Sequence, residues 1–124
     1  MPSFTRTPNN GNKIYVLDRA SFHDLVWEYN PDGFTLEKVE LLYVKPNSTT
    51  ALVAKKVPGQ QLQIFSSSGY SGRVEFHGRA TFRILSVVPR DSRIFQCRLS
   101  FTNVVPPEFH SDAELVVVGK SSNQ

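Results

Sequence analysis

Side chains that could do covalent or metal chemistry are few in this chain and stand far apart. Among 124 residues there are one cysteine, Cys97, and three histidines, His23, His77 and His110. Metal ligands usually recur at short intervals, and a single cysteine can form neither an intrachain disulfide nor a zinc site of several cysteines. No glycine-rich phosphate loop and no serine in a nucleophile motif occurs. We therefore expect no enzyme activity, no cofactor and no metal, and we interpret Cys97 as a small buried apolar residue.

The charge of the chain is modestly basic. The formal net charge is +3 and the isoelectric point is about 9.2. Arginines are scattered singly along the second half rather than gathered in one run, which argues against nucleic acid as a partner. A basic β-barrel that binds single-stranded nucleic acid is kept as a less favoured alternative, because aromatic residues are plentiful.

Short runs of alternating apolar and polar residues dominate the sequence, and helix signals are nearly absent. Clusters of Pro, Gly, Asn and Ser separate these runs at intervals of about 8 to 12 residues, which is typical of all-β domains. We predict one all-β domain over residues 1–124, with its core at about residues 12–119 and about nine strands. No apolar run approaches the ~20 residues of a membrane-spanning helix, so we expect no direct membrane insertion of this domain.

The segment from Asp91 to Cys97 is the most specific pattern in the chain. Asp91, Phe95 and Cys97 are spaced as Asp, Tyr and Cys are at the F strand of an immunoglobulin variable-type domain. Further matches in the same order are Leu25-x-Trp27-x-Tyr29, Val39-x-Leu41, Arg73, Ala80-x-Phe82-x-Ile84 and Val87. The chain therefore resembles a variable-set (V-set) immunoglobulin domain over nearly its whole length. The resemblance implies an immunoglobulin-like β-sandwich in which Arg73 pairs with Asp91.

Three positions depart from the V-set pattern. Trp27 replaces the B-strand cysteine, Leu41 replaces the C-strand tryptophan, and Phe95 lacks the hydroxyl of the usual tyrosine. We interpret Trp27 as filling the volume that the disulfide and its tryptophan would share, so that apolar burial alone holds the two sheets together. V-set domains without the central disulfide are similar to those of some invertebrate cell-surface receptors, including cnidarian allorecognition receptors. That narrower resemblance implies homophilic self-recognition between cells.

The predicted C strand turns two apolar residues toward solvent, because Val39, Leu41 and Tyr43 face inward at period two. In the V-set family this sheet is the usual dimer face. We therefore predict a protein-binding face with an apolar centre and a polar rim, unless a neighbouring loop covers it. Its residues are Glu40, Leu42 and Val44, with Gln96, Arg98 and Ser100 of the F strand beside them.

Three loops are expected to gather at one end of the sandwich, where related domains often bind ligands: residues 30–38, 57–60 and 103–112. Phe34 and Phe109 are the candidate anchors there, and for each the alternative is that its ring lies back on the core.

Asn47-Ser48-Thr49 is an acceptor triplet for N-glycosylation, placed after Pro46 where a turn would keep a glycan in water. The first residues lack the apolar stretch of a secretory signal and so do not indicate a compartment. The resemblance implies an extracellular, cell-surface location. The expected partner is a protein, another copy of the same domain, with a different protein ligand as the alternative.

Overall fold

A computed structural model describes residues 1–119 of the chain. The polar stretch Lys120–Gln124, expected to be a tail or a link, lies outside the described residues. Within the described part the chain forms ten strands and three short 3-10 helices. The strands are β1 (Ser3–Arg6), β2 (Ile14–Leu17), β3 (Phe22–Asn30), β4 (Leu36–Val44), β5 (Thr50–Lys56), β6 (Gln63–Ile64), β7 (Val74–His77), β8 (Ala80–Leu85), β9 (Arg93–Phe101) and β10 (Glu108–Val118).

The strands form two sheets that pack face to face. One is four-stranded, in the order β1-β3-β8-β7, and the other is six-stranded, in the order β2-β10-β9-β4-β5-β6. Strand β2 runs parallel to β10, and the other pairs are antiparallel. The chain changes sheets between β1 and β2 through the 3-10 turn Pro8–Gly11, where Asn9, Asn10 and Gly11 all have positive φ. Asparagine and glycine tolerate this left-handed backbone better than other residues.

The core lies between the sheets and consists of alternate residues of the long strands. Because successive side chains of a strand point to opposite faces, the inward set follows period two, as the sequence predicts. Each central strand supplies buried apolar side chains: Leu25 and Trp27 from β3, Val39 and Leu41 from β4, Phe82 and Ile84 from β8, and Phe95, Cys97 and Leu99 from β9. This is the all-β sandwich expected from the sequence, with one strand more than the predicted count.

The additional strand is β1, which lies before the expected start of the core near residue 12. It pairs with the end of β3, where Phe4 is the register partner of Tyr29. Only Phe4 of this strand packs against the core. Its other residues are polar and exposed, so the alternation that marks a strand in the sequence is weak here.

The serines and glycines of the segment from Ser66 to Gly72 predict a mobile connection, but the segment is partly buried. Ser66–Ser68 forms a 3-10 helix, and Gly69 follows in the left-handed conformation with φ of 85°. Tyr70 is then only 2% exposed and belongs to the core. The left-handed turn at Gly69 directs this aromatic side chain inward, a direction that composition does not indicate.

The short apolar run at Leu52 and Val53 predicts an edge strand, but strand β5, which contains it, lies inside its sheet. It pairs with β4 on one side and with the two-residue strand β6 on the other. The edge on this side of the six-stranded sheet is therefore very short, which limits unwanted pairing with other chains.

Candidate interaction face

Asp91 is the centre of a buried polar cluster. Its carboxylate is fully buried and accepts hydrogen bonds from Arg73 Nη2 at 2.6 Å, the Tyr70 hydroxyl at 2.9 Å and the Val88 backbone N–H at 3.0 Å. Arg73 also donates to the Leu85 carbonyl, 3.1 Å away. Burial, together with the adjacent Asp91 carboxylate, raises the pKa of Tyr70. A cluster so fully bonded within itself holds the fold together and offers no free group to a ligand.

Tyr70 supplies a hydroxyl, the group that Phe95 lacks at the position of the V-set tyrosine. The family's tyrosine position holds Phe95, whose ring packs edge-on against Tyr70 with centroids 5.9 Å apart. Sequence reasoning missed Tyr70 because it stands in a run of serines and glycines. The one available signal was an aromatic residue three positions before Arg73.

Trp27 connects the two sheets by a hydrogen bond. Its indole Nε1 on β3 donates to Ser111 Oγ on β10 at 3.1 Å, so the bond crosses from the four-stranded sheet to the six-stranded one. Ser111 is the register partner of Cys97, and Cys97 is the register partner of Leu41. The structure thus brings Trp27, Leu41 and Cys97 to one layer of the core.

The thiol of Cys97 and the imidazole of His23 are both shielded from solvent. Cys97 is unpaired and buried, and this burial raises the pKa of its thiol, so it is held in the unreactive protonated form. His23 is half-buried, and desolvation lowers its pKa. His77 is exposed on the surface beside Glu75. Over residues 1–119, no three residues of the metal-binding types come together.

The outer face of the six-stranded sheet points away from the core and carries the predicted binding residues. On β4 and β9, Glu40 is the register partner of Arg98, and Leu42 is the register partner of Gln96. Val44 lies opposite Ile94 in the next row. The register therefore places the predicted β4 and β9 residues side by side on one surface, which we call the outer face.

Leu42 is not the exposed apolar centre that the sequence suggested, because it is only 4% exposed within the chain itself. A bulge between Leu41 and Leu42 places Leu52 of β5 opposite Leu42, while Gln96 lies on its other side. Neighbouring long side chains on a sheet can cover a central residue in this way. Val44, nearer the end of the strand, is half-buried.

A chain of hydrogen bonds crosses the outer face from β9 to β10. Arg98 Nη2 donates to Gln96 Oε1 at 3.2 Å, and Gln96 Nε2 donates to Asp112 Oδ1 at 3.0 Å. Asp112 was not among the predicted residues, because it was assigned to a loop. It lies on β10 as the register partner of Gln96.

The two candidate loop anchors, Phe34 and Phe109, both pack back on the core and are half-buried. Phe109 belongs to strand β10, and its ring lies edge-on against Phe101 with centroids 5.9 Å apart. The first predicted loop lies beside the residue that precedes the third, since the Thr102 backbone N–H donates to the Thr35 carbonyl at 3.0 Å. The residue that protrudes there is Val105, which is 87% exposed.

Asn47 lies exposed in the tight connection between β4 and β5. Its Oδ1 accepts hydrogen bonds from the Thr49 backbone N–H at 3.1 Å and from Thr49 Oγ1 at 2.6 Å. The triplet is therefore on the surface, with its asparagine and threonine side chains in contact. Among the described residues, none of the helices has the length and apolar character needed to cross a membrane.

Comparison with known proteins identifies the fold but no close relative. No protein-family model and no curated protein matches the chain. Among solved structures, murine CRIg is similar with a TM-score of 0.74 at 16% identity, over 95% of this chain and 98% of that chain. A chain from a study of T cell specificity and activation by the bacterial superantigen toxic shock syndrome toxin-1 has a TM-score of 0.68 at 11% identity, with the same coverage. This chain has an immunoglobulin-like V-type fold.

Within this V-type fold, the strand order gives each predicted residue a position. Trp27 and Cys97 lie on facing sheets, at the positions where the V-set pattern has its two disulfide cysteines, and both are buried. The two-sheet sandwich differs from the barrel assumed for a nucleic-acid binder. Because these solved structures share little sequence identity with this chain, they show its fold and not its function.

Proposed function

We propose that this chain is an extracellular, cell-surface recognition domain that binds another copy of itself on a facing cell. The observation that supports this best is the outer face, where an ordered polar network lies beside the apolar side chains of Val44 and Ile94. Surfaces that mix an apolar part with fixed polar groups are typical of protein interfaces. The resemblance to allorecognition receptors supports the homophilic form of the proposal.

Weak contacts suit this function. Many copies on two facing membranes convert a low affinity at each site into a high combined avidity. A receptor that binds a different protein through the same face is the alternative, and it differs in one measurable respect: copies of the domain would not bind one another.

A bead aggregation assay with the domain displayed alone tests the proposal. We expect beads that carry this domain to aggregate with one another and to sort away from beads that carry a different immunoglobulin-like domain. Absence of aggregation, or aggregates in which the two kinds of bead mix freely, would favour a heterophilic receptor.

Val44→Asp is expected to weaken self-association at least about tenfold, because it places a charge in the apolar part of the outer face. Sedimentation velocity over a concentration series measures the effect. Phe22→Asp is the control, since Phe22 is an apolar side chain that is 49% exposed and lies on β3 of the other sheet. Equal weakening of self-association by both variants would show that the outer face is not the binding surface. Leu42→Asp is a poorer test, because Leu42 is buried and its substitution would perturb folding.

We also propose that Asn47 carries an N-glycan when the chain passes through a secretory pathway. The exposed turn and the contact between Asn47 and Thr49 support this. Secreted wild type is expected to lose mass on treatment with peptide N-glycosidase, while Asn47→Gln and Thr49→Val should migrate like the treated protein. Ser48→Ala keeps the triplet and should remain glycosylated. A wild-type band that the enzyme leaves unchanged would refute this assignment.

A further inference from the structure

A cleft opens between the two sheets at one end of the sandwich, where β3 and β7 end and β4 begins. Its volume is about 310 Å³, at the lower end of the range for small-molecule sites in proteins. The four-stranded sheet contributes Tyr29 and Phe76 to its wall, and the six-stranded sheet contributes Leu36 and Val39. We call this space the end cleft.

The wall of the end cleft is apolar and fixed by packing. Val39 lies deepest, since it is only 1% exposed, whereas Tyr29 and Phe76 are half-buried. The Tyr29 ring packs edge-on against Phe101 with centroids 5.9 Å apart, and the Phe76 ring packs edge-on against Phe82 at 5.2 Å. Rings held in this way form a wall before any ligand arrives, which is usual for small-molecule sites.

Two cations line the same cleft, one from each sheet. Lys56 is the last residue of β5, and its Nζ donates to the backbone carbonyls of Val57 and Gln60. Arg79 lies in the turn between β7 and β8, and its Nη1 donates to the Tyr29 carbonyl at 3.0 Å. The guanidinium carbon of Arg79 lies 5.4 Å from the centre of the Tyr29 ring. Both cations are therefore attached to the cleft by hydrogen bonds.

No carboxylate in the described part of the chain neutralises these two cations. Arg73 and Arg83 form ion pairs with aspartates, but Lys56 and Arg79 form none with any residue of 1–119. The described residues that line the end cleft include no acidic side chain. Backbone carbonyls carry no net charge, and arginine has five donor hydrogens and lysine three. Each cation therefore retains both its charge and a donor for a further acceptor.

An apolar wall beside two unneutralised cations is complementary to an amphipathic anion. Burial of an apolar chain against the wall provides a favourable free energy, and charge-assisted hydrogen bonds from lysine and arginine fix the position of an anionic head group. The volume equals that of about ten water molecules, which admits one short chain and excludes the paired chains of a phospholipid. A carboxylate at the end of a single apolar chain meets all three conditions.

We propose that the end cleft binds a small amphipathic carboxylate. The apolar chain of this ligand lies against Tyr29, Leu36 and Phe76, and its carboxylate accepts hydrogen bonds from Lys56 and Arg79. The end cleft lies between the sheets rather than on the outer face, so this inference does not depend on the proposed homophilic function.

Octanoate is a suitable probe, and it can be titrated into the full chain while amide signals are followed by nuclear magnetic resonance. We expect binding with a Kd of about 0.1 to 1 mM, because a ligand of this size makes few contacts. The largest shifts are expected at the start of β4, at Lys56 and at residues 76–79. The uncharged 1-octanol should bind about fivefold to tenfold more weakly, and octylammonium more weakly still, since its charge is repelled.

Substitutions of the two cations test their part in binding. Lys56→Gln and Arg79→Gln should each weaken octanoate binding by about fivefold to tenfold and leave binding of 1-octanol unchanged, a difference that a purely structural role would not produce. Arg79→Lys keeps the charge and should retain most of the affinity. Lys55→Gln is the matched control, because it makes the same change one residue earlier, on the opposite face of β5. This variant should bind octanoate like wild type.

Three results would overturn the proposal. Absence of octanoate binding, or shifts that lie away from the end cleft, would show that the cleft is not a site for this ligand. Equal affinity for octanoate and 1-octanol would show that the cations do not contribute. Equal weakening in Lys55→Gln and Lys56→Gln would indicate a general attraction to a basic protein rather than a site.

Discussion

Trp27→Ala is expected to lower the free energy of unfolding by about 3 to 5 kcal/mol, the usual range for truncating a fully buried aromatic side chain to alanine. The indole is buried between the sheets and donates to Ser111, so its removal leaves a cavity and an unpaired hydroxyl. Because the chain has no disulfide between the sheets, this layer depends on packing and on that hydrogen bond. Urea unfolding followed by far-ultraviolet circular dichroism measures the loss, since the variant has no tryptophan to report by fluorescence.

Two further variants divide that loss into its parts. Ser111→Ala removes only the hydrogen-bond acceptor and should lower the free energy of unfolding by about 1 kcal/mol. Trp27→Phe keeps an aromatic ring but loses volume and the N–H group, and should fall between the other two variants. A loss below about 1 kcal/mol for Trp27→Ala would contradict the role assigned to the indole.

Asp91→Ala is expected to lower the free energy of unfolding by a similar amount, about 3 to 5 kcal/mol. The substitution leaves the Arg73 guanidinium, the Tyr70 hydroxyl and the Val88 N–H without their acceptor. Removing one partner of a buried ion pair is costly because the remaining charge stays away from water. Thermal unfolding together with urea titration measures this loss.

Asp24→Ala is the matched control for Asp91→Ala. Asp24 also pairs with an arginine, Arg83, at 2.8 Å, but both side chains are about one-third exposed. Solvent screens such a pair, so its removal should lower the free energy of unfolding far less than the removal of Asp91 does. Tyr70→Phe, which removes one donor to Asp91, should cost about 1 kcal/mol. Equal losses for Asp91→Ala and Asp24→Ala would show that burial of the Asp91 cluster adds nothing.

Alternation of apolar residues was sufficient to predict an all-β domain and its inward side chains, whereas the sandwich was implied by the V-set resemblance. Residues such as Leu25, Phe82 and Leu99 lie in the core because period two places them on one face of their strands. Strand β1 was missed because only Phe4 of its residues packs inward. Tyr70 was missed because its direction depends on the left-handed turn at Gly69 rather than on a repeating pattern.

The sequence predicted which residues of β4 and β9 share the proposed binding face, but not which of their side chains are exposed there. Period two indicates that Leu42 points outward, yet its exposure depends on the bulge and on the neighbours that this bulge aligns with it. The opposition of Glu40 and Arg98 likewise requires the register of β4 with β9, which the spacing within one strand does not contain.

Cys97 is the only cysteine of the chain, and it is sealed inside the sandwich. Reductants such as dithiothreitol therefore have no intrachain bond to break, and the melting temperature should be the same with and without them. Formation of the native state therefore requires no oxidising environment for a disulfide. Because the thiol is buried, folded copies of the chain cannot be joined through it by a disulfide.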